Sequence, residues 1–287
     1  YEGKIPLDEF PAQLDDDDLI HLLGGQPNTS VANTYGYGNL PEYGVPNIMT
    51  ADGPAGLRIN PQCEVCTTAW PCATLLASTW NPALIEQVGT AGAAEVKENN
   101  IAVWLTPAVN IHRNPLCGRN FEYYSEDPLL AGKMGAAMVR GIQSQHIAAA
   151  VKHFACNNKE TNRKHSDSRV SERALREIYL KAFEIIVKEA DPWVIMSAYN
   201  MINGHRASEN HDLLEGILRD EWHFHGMVTS DWWTRGEHYK EIKAGNDVKM
   251  ACGFPERVKK AMELGALDRS DLERCAKRVL DLILKID

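Results

Sequence analysis

The sequence is short of several things, and each shortage excludes a class of protein. No apolar run approaches the ~20 residues needed to cross a bilayer as a helix, so a membrane-spanning helix is not expected. Positive charge is not in excess: 30 Lys and Arg stand against 39 Asp and Glu, a net charge of −9. An acidic surface argues against nucleic acid or an anionic membrane as the main partner. No G-x-G-x-x-G or Walker-type glycine loop follows any apolar run, which removes the usual phosphate cradles. There is no internal repeat and no signal-peptide pattern after Tyr1. Seven cysteines cannot all pair, so a reduced, cytoplasmic protein is expected. Cys63-x-x-Cys66 has no second Cys or His pair at zinc spacing, so loop or buried thiols are expected there, with no metal and no cofactor.

What is present is alternation. The 287 residues, 44% hydrophobic, suit one α/β barrel of ~250 residues. Apolar runs at 47–51, 102–107, 148–154, 193–200, 226–230 and, weakly, 244–250 predict strands. Helices are predicted at 81–98, 126–145, 171–190, 209–221, 255–264 and 268–285. Pro82 after Asn81 and the acidic run Asp15 to Asp18 before "LIHLL" read as helix starts. Strands that are apolar throughout and separated by helices mean a parallel sheet covered outside. The expectation is a TIM-like (β/α)8 barrel over 47–287, irregular in its first units, with residues 1–46 as a leading helix and a long Gly/Asn/Pro-rich loop.

In such a barrel the chemistry sits at the C-terminal strand ends. Those ends carry Asp52 with Arg58, Arg119 with Glu122, Lys152 and His153, Tyr199 and Asn200, and Asp231 followed by Trp232 and Trp233. Any one could simply begin a solvated loop. Five groups in register on one rim suit a neutral polyol, with hydrogen-bonding groups for hydroxyls and an indole face for the C–H side of a sugar ring. Since adjacent residues on a strand face opposite ways, at most one tryptophan is expected to face the rim.

The segments "MTADGPAGLR", "GRNFEYYSEDP", "KHFACNNKETNR", "SERALREIYL", "SAYNMINGHRASEN" and "GMVTSDWW" occur in order. From about residue 40 to the end, the chain resembles glycoside hydrolase family 3, the β-glucosidase group. The resemblance implies a retaining, exo-acting β-glycosidase that removes glucose from the non-reducing end of β-glucosides or cello-oligosaccharides. It makes Asp231 the nucleophile. Asp52, Arg58, Arg119, Lys152, His153, Arg163, Met196 and Tyr199 would bind the sugar, with Trp232 as an aromatic wall. Lys152 and Arg119 would hold the Asp231 pKa low. A β-xylosidase, a β-N-acetylglucosaminidase or a non-catalytic sugar-binding module are the alternatives, and a homo-oligomer is compatible with all of them.

A retaining glycosidase needs a second carboxyl group ~5–5.5 Å from the first. In two-domain β-glucosidases of this family it lies on a separate α/β sandwich domain, expected here before Tyr1 or on another chain. Single-domain acetylglucosaminidases carry a His–Asp pair in a KHFPGHG…DSH motif. After Lys152-His153-Phe154 this chain lacks the GHG, and His165 and Asp167 stand in the opposite order. Glu122, Glu126 and Glu160 are the nearest other carboxyls in sequence, and Glu122 and Glu126 are expected to brace Arg119.

Overall fold

A run buried on both faces can only be satisfied inside a sheet, and residues 148–154 form such a run. In the computed structural model, which describes residues 5–286, strand β4 (Ala148–Phe154) is buried at every position. It lies at the middle of a six-stranded sheet. The other strands are β1 (Gly36–Leu40), β2 (Val45–Asp52), β3 (Val103–Leu105), β6 (Val194–Ser197) and β9 (Met227–Ser230), in the order β1-β2-β3-β4-β6-β9. From β2 onward all neighbours run parallel, as the apolar runs predict. A small separate sheet joins β5 (Asp167–Ser168), β7 (Met201–Ile202) and β8 (His205–Arg206) above the rim loops.

Two further segments close the ring. Val248 bridges Thr229 of β9 in parallel, and Lys249 bridges Gly24. Lys249 N–H donates to the Leu23 carbonyl at 2.9 Å, and Gln26 and Gly36 exchange a pair of hydrogen bonds at 2.8 and 2.9 Å. The six strands and these two bridging segments make a TIM-like barrel of eight staves with one antiparallel member, β1 against β2. The barrel therefore draws in residues 24–40, which the sequence reading assigned to a leading loop. The stretch hides its role because it is built from glycines. A Cβ at Gly25 would overlap the Ala251 carbonyl, and one at Gly36 would overlap the Asn47 side chain. Close backbone approach demands residues that carry no hydrophobic signal.

The outer layer is laid by helices Pro82–Glu98, Pro128–Gln143 and Lys181–Ala190, packed side by side. Their caps are legible: Asn81 accepts from Leu84 N–H, Asp127 from Leu129 N–H and Asp15 from Asp18 N–H. The single helix expected over 171–190 is instead a short turn capped by Ser171, a wide π turn at Leu175–Tyr179 and then the helix. Residues Asp212–Glu221 are also wide-wound. The last helix, Arg269–Ile286, buries Leu272, Val279 and Ile283 against the barrel. It is anchored from inside by Arg278, whose Nη1 lies 3.0 Å from both Asp247 and Glu215.

Candidate active site

Strand β9 ends at Ser230, so Asp231 emerges at the C-terminal rim with its backbone still tied to the sheet. Its N–H donates to the Ser197 carbonyl at 3.1 Å. The carboxylate is 8% exposed at the residue level. Oδ1 accepts the Trp232 N–H at 2.6 Å. Oδ2 has no hydrogen-bond partner among the described residues. An orphaned carboxylate oxygen in a buried site is costly, and such atoms cluster where a ligand completes the arrangement.

Around that oxygen the rim is basic. His153 Nε2 stands 3.8 Å from Asp231 Oδ2. Arg119 Nη2 lies 2.9 Å from the same His153 nitrogen, and Tyr123 Oη lies 3.2 Å from Nδ1. A guanidinium only donates, so Nε2 accepts and Nδ1 carries the proton. Burial first, then Arg119, Lys152 and Arg163, push the His153 pKa well below the usual histidine range, so the ring is neutral. Asn110 fixes the His153 backbone from both sides, at 2.9 Å each way.

The same rim holds Lys152, 4% exposed, with Nζ 4.0 Å from Asp52 Oδ1. Asp52 Oδ2 accepts from Asn33 Nδ2 at 3.0 Å, and Asn33 Oδ1 accepts the Asp52 N–H at 3.0 Å. Arg163 lies over the Tyr199 ring at 4.7 Å, and Tyr199 Oη donates to the Trp232 carbonyl at 2.5 Å. Trp232 is partly buried, whereas Trp233 is 50% exposed and meets Tyr35 edge to face. Lys164 Nζ donates to the Trp233 carbonyl at 3.2 Å.

Most of the expected residues are thus brought together. Two sit differently. Met196 is 1% exposed within the apolar interior of the barrel, so it forms floor beneath the site and offers almost no surface to a ligand. Arg58 is tied to Asp52 through its backbone, N–H to carbonyl at 2.9 Å, while its side chain is exposed and makes no ion pair among the described residues. The Asp231 carboxyl also differs from expectation. Burial raises its pKa, and this outweighs the lowering by Arg119, the Trp232 N–H, Lys152 and Arg163. The reason is the orphaned Oδ2: proximity of cations without direct hydrogen bonds does not replace lost hydration.

Of the other carboxyls all but Glu126 are engaged, so only Glu122 braces Arg119 as expected. Glu122, 4% exposed, pairs with Arg119, while Glu126 is exposed and pairs with no cation among the described residues. Glu160 lies 3.2 Å from Arg163 and 4.0 Å from Arg119. Asp167 is paired with Arg169 at 2.7 Å and accepts the Gly204 N–H, and His165 is exposed. Asn33, Asn110, Tyr123 and Lys164 escaped the sequence reading. Asn33 lies 19 residues before Asp52 in a stretch with no periodicity, so nothing local betrays it.

Comparison with known proteins fits this geometry. The family model for the glycosyl hydrolase family 3 N terminal domain matches residues 38–282. Beta-glucosidase A of Butyrivibrio fibrisolvens is 66% identical over 273 residues, covering 95% of this chain and 33% of that protein. An exo-alpha-(1->6)-L-arabinopyranosidase of Bifidobacterium longum is 45% identical over 252 residues, covering 84% and 33%. The structure of beta-glucosidase 3B from Thermotoga neapolitana in complex with glucose is similar with a TM-score of 0.92 at 45% identity, covering 97% of this chain and 42% of that one. The chain spans about a third of the length of the curated relatives it matches. The ordered motifs, the eight-stave barrel and these likenesses together place the chain in glycosyl hydrolase family 3, as a member of its N-terminal barrel domain.

Proposed function

We propose that this barrel is the nucleophile-bearing unit of a retaining, exo-acting β-glucosidase. The observation that carries the reading is Asp231 Oδ2: buried, unpartnered, and ringed by His153, Arg119 and Lys152. A sugar seated on the rim brings its own polar groups to this oxygen. Its hydroxyls hydrogen-bond Asp52, Lys152 and Arg163, its ring rests on Trp232, and its anomeric carbon lies over Oδ2. The ionised carboxylate attacks, the glycosidic C–O bond breaks, and a glycosyl ester forms that water later hydrolyses. Neutral His153 contributes orientation without adding a charge that would pair Asp231 permanently.

Proton delivery to the leaving oxygen is assigned to a carboxylic acid outside this chain, on an α/β sandwich domain in cis or in trans. Glu122 and Glu160 are each already engaged by an arginine, Glu122 by Arg119 and Glu160 by Arg163. The engagement of Asp167 with Arg169 gives no support to an internal His165–Asp167 pair. The test is leaving-group dependence in residues 1–287 alone. A dinitrophenyl β-glucoside, whose leaving group needs no proton, should be cleaved far better than cellobiose, and adding the sandwich domain should restore cellobiose turnover. Ordinary cellobiose turnover by the barrel alone would put the acid inside it.

A second sugar specificity has one observation behind it, the 45% identity to the Bifidobacterium arabinopyranosidase. α-L-Arabinopyranosides and β-D-glycopyranosides present the same anomeric geometry to a nucleophile. The ratio of kcat/KM for the two aryl glycosides decides between them, and the β-glucoside is expected to lead. A cytoplasmic location, with all seven cysteines as free thiols, completes the proposal.

A further inference from the structure

Below the tryptophans lies a second buried charge cluster that sugar chemistry does not use. Lys249 is 1% exposed and Glu241 fully buried, with Nζ 2.7 Å from Oε2. Lys249 Nζ also donates to Thr234 Oγ1 at 2.8 Å and to the Gly236 carbonyl at 2.9 Å, so its three protons are all placed. Glu241 Oε1 accepts from Ser208 Oγ at 2.7 Å and from Thr234 Oγ1 at 2.9 Å. The fit is tight: a Cβ at Gly236 would overlap the Glu241 carboxylate.

Three of these contacts hold one segment. Residues 232–237 follow the nucleophile without regular structure. Asp231 cannot be placed rigidly unless the chain leaving it is fixed. Above, the segment is caught by Tyr199 Oη on the Trp232 carbonyl and by Trp233 N–H on the Met250 carbonyl at 2.9 Å. Below, Thr234 and Gly236 are anchored by both members of the pair: Lys249 Nζ donates to Thr234 Oγ1 and to the Gly236 carbonyl, and Glu241 Oε1 accepts from Thr234 Oγ1. Lys249 itself rides the stave that closes the ring between β9 and Gly24. A buried ion pair seldom adds stability over apolar packing of equal volume, but it does fix one geometry.

We infer that the Glu241–Lys249 pair, acting through Thr234, is a positioning device that sets the loop carrying Asp231 and Trp232 for attack on the sugar. The inference rests on the proposed role of Asp231. Neither residue touches substrate. Losing the clamp slows formation of the glycosyl-enzyme and leaves sugar affinity nearly unchanged, because the hydrogen bonds to the sugar from Asp52, Lys152 and Arg163 come from other staves and Trp232 stays tied through its carbonyl to Tyr199.

The test uses the complete polypeptide and a 2-fluoro-glucoside with an acidic leaving group, which makes the glycosyl-enzyme accumulate. Thr234→Val keeps the shape and removes the bridging hydroxyl, so folding survives. Its labelling rate constant should fall about 10-fold or more, with inactivator Kd changed less than about 3-fold, since small misplacements of reacting groups cost up to ~100-fold. Thr234→Ser should stay within about 2-fold of wild type by the same reasoning. The double variant Lys249→Met with Glu241→Leu should regain thermal stability over either single variant without regaining the labelling rate. Unchanged labelling in Thr234→Val, or stability and rate recovering together in the double variant, would reduce the pair to packing. Wild-type hydrolysis through a covalent intermediate on a residue other than Asp231 overturns the functional reading itself, and the clamp with it.

Discussion

Two clusters of buried charge lie within one loop of each other and are built on opposite rules. Around Glu241 and Lys249 every donor has an acceptor. Around Asp231 one oxygen is orphaned, and the neighbouring His153 points its accepting nitrogen at Arg119 instead. A closed network defines a shape. An open one stores unmet hydrogen-bonding capacity for something that arrives later. Burial alone therefore does not mark a site; at Asp231 the unpartnered oxygen coincides with a rim of His153, Arg119 and Lys152, and that conjunction does.

The sharpest way to break the contrast is Asp231→Asn. The account expects turnover by the complete enzyme to fall by several powers of ten, because the covalent step is lost. It expects thermal stability to rise, since the raised carboxyl pKa means the ionised form is disfavoured in the fold. Burial raises the Glu241 pKa as well, but this carboxylate is directly paired, so Glu241→Gln should do the reverse for stability, lowering it by roughly 3–5 kcal/mol as Lys249 is left buried without its charge partner. Thermal melts of both variants beside activity assays check the opposition.

Asp52→Ala comes next in size. Each charged hydrogen bond to a sugar hydroxyl contributes about 1.5–3 kcal/mol, so kcat/KM should drop by roughly 10- to 150-fold per lost bond. Asn33→Ala, which removes only the brace on Asp52, should give a smaller loss in the same direction. Deoxy substrates identify the hydroxyl. The mutant should be insensitive to the one whose removal hurts wild type most.

The pH responses are smaller. Asp231 must be ionised to attack, and its pKa is raised above 3.8, with Arg119 the largest opposing influence. Arg119→Gln should therefore move the acid limb of kcat/KM to higher pH. At the closed cluster, burial and Lys249 push the His238 pKa down to about 3 from 6.5. The native state holds this ring neutral, with Nε2 donating to the Leu23 carbonyl and Nδ1 accepting from Phe254 N–H. Below pH 6.5 the unfolded chain takes up a proton that the native chain refuses. Stability is thus present above 6.5 and lost on acidification toward 3, at roughly 1.4 kcal/mol per pH unit. His238→Gln, which can keep both hydrogen bonds, should flatten that slope in denaturant titrations between pH 6.5 and 4.

Sequence carried the parallel staves well. Strand β4 is apolar at all but two positions, and those two, Lys152 and His153, are rim residues at the strand's end. Asn81 and the acidic run beginning at Asp15 announced helix starts because capping is local. The closing staves were hidden for the opposite reason. Gly24 and Gly25 meet Lys249 across more than 220 residues, with glycines where side-chain patterning would normally speak. Lys249 lies in the weakly predicted strand 244–250, and its partners Glu241, Thr234 and Gly236 come together only in the folded loop. Asn33 was silent for the same reason. Rim residues with strong chemical character were legible, as was Glu122 three residues from its partner Arg119; the distant residues Asn33, Asn110 and Lys249 were not.

The central claim is that Asp231 is the atom source for the covalent bond to sugar. Incubating the complete enzyme with a 2-fluoro-β-glucoside, then digesting and mapping the adduct by mass spectrometry, tests it in one step. A single fluoroglucosyl ester is expected on the peptide containing "TSDWW", at Asp231. An adduct on Glu160 or Glu122, or an active enzyme that never forms a covalent adduct, would contradict it.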